Sequence, residues 1–191
     1  MEKMLIELDA LLEKNNQLYF KQIETPLEKN DIIKLLDKYE LYRCEEFIDL
    51  YSWHGWVNGK NIYDGNYTEF CSLGCLVDLP SAFEKFLEDK KNTKYLENKL
   101  PIVIRDDCDY MAVDLKKQSL TRGSVFVCEP AITFSSEMVK IYDSIPLFIQ
   151  SVNECYRQGV YTLRGNHLKV DYNKESDISS ALNHDSPYWN E

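Results

Sequence analysis

Glycine and proline are scarce in this chain: seven and six residues out of 191, gathered nowhere. That excludes a collagen-like or low-complexity protein and any long flexible linker. There are three histidines. No Gly-rich phosphate loop, nucleophile elbow or HExxH helix is present. No apolar run approaches the roughly 18 to 20 residues needed to cross a bilayer. The opening MEKMLIELDALLEK has acids where the apolar centre of a signal peptide would stand. The expectation is therefore a cytoplasmic protein, not one exported by that route. Positive charge is also short: 22 Lys and Arg against 32 Asp and Glu leave a net charge of −10. Such a balance disfavours nucleic acid and anionic membrane as partners, because phosphates are repelled, and favours a basic partner or plain solubility.

What is there is enough for a core. Hydrophobic residues make up 44% and aromatics 13%, with 13 tyrosines, which argues for one folded domain and against disorder. The six cysteines (Cys44, Cys71, Cys75, Cys108, Cys128 and Cys155) are spread over apolar positions, as buried thiols of a reducing compartment would be. Cys71 and Cys75 have the spacing of half a zinc site, but no second Cys/His pair of similar spacing follows, so no metal or cofactor is expected.

The most informative stretch is Leu100 to Glu129. Leu100 to Arg105 is a continuous apolar run, as for a strand covered on both faces. From Asp109 to Leu115 the pattern alternates, with Met111, Val113 and Leu115 opposing Tyr110, Ala112 and Asp114. Arg122 to Glu129 alternates again. A tight connection at Asp106-Asp107-Cys108 and a longer one over Lys116 to Thr121 make this an antiparallel meander in the middle of a sheet. Around it the apolar spacing predicts a helix over 2–19. A second opens at Thr25-Pro26 with a capping box to Glu28, and a third covers Leu41 to Trp53. Asn58-Gly59 and its neighbours read as turns, and Glu69 to Val77 as a strand. A helix begins at Leu79, with a further helical piece over Thr93 to Asn98. The clearest helix is capped by Asp143 or Ser144, carries the stripe Ile145, Phe148, Ile149, Val152, Cys155 and Tyr156, and stops at Gly159. A hairpin turning at Arg164-Gly165-Asn166 comes next. The polar segment 173–191 reads as a loosely held tail onto whose body Tyr188 and Trp189 could dock. Helices, then consecutive strands, then a helix and a hairpin make an α+β fold: an antiparallel-rich central sheet flanked by helices.

Few residues suggest chemistry. His54, inside SWHGW, reads as a turn residue because nothing local would tune it as a base. Asp106, Asp107 and Asp109 read as a solvated turn, with recognition of a basic partner as the next reading and metal binding as the last. Glu45, Glu46 and Asp49 form the polar face of the third helix, and Glu84 and Glu88 repeat the arrangement later. Like charges four residues apart cost about 0.2–0.5 kcal/mol in an isolated helix. Any surface tolerates that, and it is also what a surface built to receive Lys and Arg would look like. Trp53 and Trp56 close the rim of a core, with Trp56 also a candidate for partner contact.

The order of short motifs resembles the SUKH superfamily, which groups bacterial toxin-immunity proteins with fungal cell-wall synthesis regulators. The residues that carry the resemblance are Phe47, Leu50, Tyr51 and Gly55; Pro101, Ile102, Asp109, Tyr110, Asp114 and Leu115; Gly123 and Val125; and Ser144, Phe148 and Ile149. It spans roughly Thr25 to Tyr161. His54-Gly55 stands where family members commonly have Asn-Gly, and Asp106-Asp107-Cys108 where they have a Gly-rich turn. The resemblance implies a single SUKH-like domain over 1–172, with an N-terminal helical extension (1–20) and a C-terminal tail (173–191). It further implies a non-catalytic immunity protein that binds a cognate toxin, often a nuclease delivered between competing cells. The alternatives are a regulatory adaptor of the same fold, or an enzyme using His54 with Asp106 or Asp107. The candidate partner-binding residues are Glu45, Glu46, Asp49, Trp56, Glu84, Glu88, Asp106, Asp107 and Asp109, and the expected partner is a basic protein.

Overall fold

Leucines three and four apart bury one face of α1 (Glu2–Asn15) through Leu5, Leu8 and Leu12. The expected helix over 2–19 is cut in two by Asn16. The fully buried Asn16 side chain donates to the Glu69 carbonyl and to the Tyr156 hydroxyl, each at 2.8 Å. Its oxygen caps α2 (Gln17–Phe20) by accepting from the Tyr19 amide. Those buried bonds outweigh one more helical turn. The computed structural model describes residues 1–92, 98–105, 109–129 and 137–190, the side chains of 89–92 excepted.

The second helix, α3 (Lys29–Lys38), starts later than its Thr25-Pro26 signature predicts, and Glu28 is its cap residue. The reason is tertiary. Ile23 and Glu24 (β1) pair with Trp56 and Val57 (β2), and the Leu27 amide donates to the Tyr51 carbonyl at 3.3 Å. Residues 23–27 are thereby held extended. The third helix is shorter than expected for a similar reason. It begins at Glu45 (α4, Glu45–Trp53), because the Tyr42 amide donates to the Leu115 carbonyl at 2.8 Å and Glu40 has φ +58°. Asn58, expected in a turn, instead caps α5 (Gly59–Tyr63). The expected strand over 69–77 contracts to β3 (Cys75–Leu76), preceded by a tight loop. At its Gly74 (φ +121°) a Cβ would stand 2.4 Å from the Ile104 carbonyl oxygen, so only glycine fits. The next helix, α6 (Leu79–Asn92), lies along the sheet.

The meander is present and central. β4 (Lys99–Ile104), β5 (Tyr110–Asp114) and β6 (Val125–Cys128) pair antiparallel. β3 and β7 (Val139–Tyr142) lie outside them, in the order β3-β4-β5-β6-β7. All five residues of β5 are buried, so both faces of the sheet are covered. α7 (Ile145–Arg157) is capped by Ser144, whose hydroxyl accepts from the Leu147 amide, and ends before Gly159 (φ +67°), as the spacing predicts. Its Phe148 packs against Tyr142 and Phe70 at centroid distances of 5.0 and 6.1 Å. α1 lies against α7, and Asn153 donates to the Met4 carbonyl at 2.9 Å. The N-terminal helix thus packs into the core. β8 (Tyr161–Arg164) and β9 (His167–Val170) form the expected hairpin.

The expectation of a loose tail is overturned. Residues Tyr172–Leu182 form α8, packed on α7. The Asn183 side chain accepts the Asp143 amide at 3.1 Å and donates to Ser151 at 3.2 Å. Tyr188 and Trp189 pack on the core. Residues 93–97, and with them most of the expected Thr93–Asn98 helix, lie outside the described residues. No helix among the described residues is long and apolar enough to cross a membrane.

Candidate functional site

The candidate acids divide sharply once placed. On α4, Glu45 is exposed in the first turn, where the helix dipole favours a negative charge. Glu46 is exposed as well, and its Oε2 accepts from the Cys44 thiol at 3.2 Å. Burial is the main reason that thiol's pKa is pushed up to about 12. Asp49 is half-exposed and paired with Lys29 at 2.7 Å, which offsets its repulsion from Glu45.

On α6, Glu84 and Glu88 are both exposed, one helical turn apart. They line a shallow groove of about 180 Å³ between α5 and α6, together with Lys60, Tyr63, Ser81 and Lys85. Tyr63 is 54% exposed. The Lys85 ammonium turns inward, 5.4 Å from the centre of the Tyr110 ring. Among the described residues Glu45, Glu84 and Glu88 have no cationic partner. Two exposed carboxylates one helical turn apart are a receptor for a lysine or arginine side chain. α3 packs against α4, where Lys29 meets Asp49, and Tyr39, just past the end of α3, stacks on Phe83 of α6 at 4.9 Å.

Two candidates are removed. Trp56 is fully buried, with φ +59°, and its indole donates to the Leu50 carbonyl at 3.1 Å. It belongs to the core, against Phe70, and offers no surface to a partner. Asp109 is 8% exposed at the entrance to β5, so it is no surface carboxylate. Asp106 and Asp107 lie outside the described residues.

A second group of acids went unnoticed in the sequence. Glu129 and Glu175 are 4% and 2% exposed. Oε1 of Glu175 accepts from the Ser72 hydroxyl at 2.5 Å and from the Tyr161 phenol. Oε2 of Glu129 accepts from Tyr188 at 3.0 Å. Burial raises the pKa of both carboxyls, partly countered by these hydrogen bonds. Both acids hold the C-terminal segment to the body. No sequence signal marks them, since a lone Glu in a polar segment reads as solvated.

His54 meets Asp9, a residue not considered for it: Asp9 Oδ1 lies 2.8 Å from His54 Nε2, and Asp9 Oδ2 accepts from the Trp53 indole at 3.0 Å. Among the described residues no Ser, Thr or Cys side chain hydrogen-bonds to His54. The geometry is that of a clasp between α1 and the end of α4. The five described cysteines are buried and unbridged. Among the described residues no group of three or more His, Cys, Asp and Glu side chains could hold a metal ion. The chain matches no protein-family model, and a search of curated proteins returns no significant match.

Proposed function

We propose that this chain is a non-catalytic binding protein of SUKH type, an immunity protein that acts in the cytoplasm by occupying a basic toxin produced by its own strain. The observation that carries the reading is the groove where the exposed Glu84 and Glu88 stand beside Tyr63. It offers a cationic side chain two carboxylates that have no cationic partner among the described residues. The net charge of −10 supports the same reading, because it steers a basic partner inward and repels acidic competitors. The motif resemblance supplies the class of partner.

The test is co-expression with the product of the adjacent gene. Growth is rescued by the native chain, and the purified pair dissociates more readily as salt rises. Glu84→Lys with Glu88→Lys weakens the complex about tenfold or more. Failure of rescue together with absence of binding sinks the proposal. Capture of a single housekeeping protein instead identifies a regulatory adaptor of the same fold.

A further inference from the structure

The connection between β5 and β6, residues 115–123, inverts the charge balance of the chain: it contains Lys116, Lys117 and Arg122 and no acid. At its tip Leu120 is fully exposed, at 105%. Nothing about this loop is slack. The buried Asp114 carboxylate accepts from Ser119 Oγ at 2.5 Å, from Thr121 Oγ1 at 2.7 Å and from the Lys116 amide at 3.0 Å. Arg122 donates to the Lys117 carbonyl at 3.2 Å, and its guanidinium lies 4.1 Å from the centre of the Tyr42 ring. A leucine held out on a braced loop has already lost the freedom that association would otherwise have to remove.

Beside the base of the loop is a hollow of about 210 Å³, lined by Tyr42, Cys44, Glu46, Arg122, Ile145 and Pro146. The volume is enough for a leucine side chain, with Tyr42, Ile145 and Pro146 as the apolar part of a mixed lining. Projection and recess are adjoined through Arg122, which belongs to the loop and lines the hollow. Lys117 flanks the projection, while the recess carries Glu46 beside Arg122, with Glu45 next to it. A patch that presents both halves of a complementary contact matches a copy of itself after a two-fold rotation.

We infer that this face is a homodimer interface in which Leu120 of each copy enters the hollow between the start of α4 and the start of α7 of the other, with Lys117 set against Glu46. The inference does not depend on the toxin reading. Sedimentation velocity of the full chain, from nanomolar to high micromolar concentration, tests it. The expected result is a concentration-dependent monomer–dimer equilibrium. Leu120→Asp weakens it about a hundred-fold or more, since two leucines are re-exposed, with an unchanged circular dichroism spectrum. Lys117→Glu and Glu46→Lys each weaken self-association several-fold. An equimolar mixture of those two variants associates again, because every contact then joins opposite charges. A native chain that stays monomeric throughout overturns the inference. So does a dimer indifferent to Leu120→Asp, or a mixture no tighter than either variant alone.

Discussion

Two sets of carboxylates can be set side by side. Glu45, Glu84 and Glu88 stand on outer helical faces, without a cationic partner among the described residues. Asp114, Glu129 and Glu175 are 2%, 4% and 2% exposed, and each secures a piece of chain by accepting hydroxyl hydrogen bonds. The chemical group is the same and the roles are opposite. An exposed carboxylate keeps its hydration and is free to meet a partner. A buried one has exchanged hydration for a few directed bonds, and its loss leaves their donors stranded.

Substitutions should separate the two sets, and the largest effect belongs to Asp114. Replacing it by alanine removes three hydrogen bonds at a site closed to water. We expect urea unfolding to show a loss of about 3 kcal/mol, with the 115–123 loop becoming susceptible to protease. Next comes Glu175→Gln, which keeps the shape and the acceptor oxygen but cannot ionise. Burial raises the folded-state pKa of Glu175, so its contribution to stability is fully present below the ordinary carboxyl value of 4.5 and is lost as pH rises through the folded value. The variant should match the native chain near pH 4 and exceed it at neutral pH and above, read from paired denaturation curves across pH. The smallest effect is expected at the surface: Glu45, Glu84 and Glu88 changed together to alanine should move stability by no more than about 0.5 kcal/mol. A larger loss there would erase the distinction between the two sets.

The parts of the fold that could be read beforehand are those whose burial is periodic and apolar. The β4–β6 meander and α7 are examples, the latter with Ser144 and Gly159 at its ends. α8 was missed because two of its inward positions are Glu175 and Ser179, which leave no apolar stripe to find. The start of α3 was misplaced because a capping signature is local, whereas the pull on residues 23–27 comes from β2 and Tyr51. Of the candidate site, the exposed pair Glu84 and Glu88 was legible from spacing alone. Its companion Tyr63 was not, because α5 hid behind an Asn-Gly that reads equally well as a turn. Trp56 was ambiguous for a related reason: an aromatic beside a glycine suits both a rim and a core, and only its indole bond to Leu50 decides.

The placement of the three tryptophans gives the molecule a built-in optical readout. Trp53 is bound to Asp9 of α1, Trp56 is sealed in the interior, and Trp189 rests 6.0 Å from Tyr142 under the C-terminal segment. Emission from the first follows the undocking of one end of the polypeptide, emission from the last follows the other, and the middle one answers only to global melting. Single-indole versions would therefore time the release of each terminus against collapse of the centre, without any attached dye.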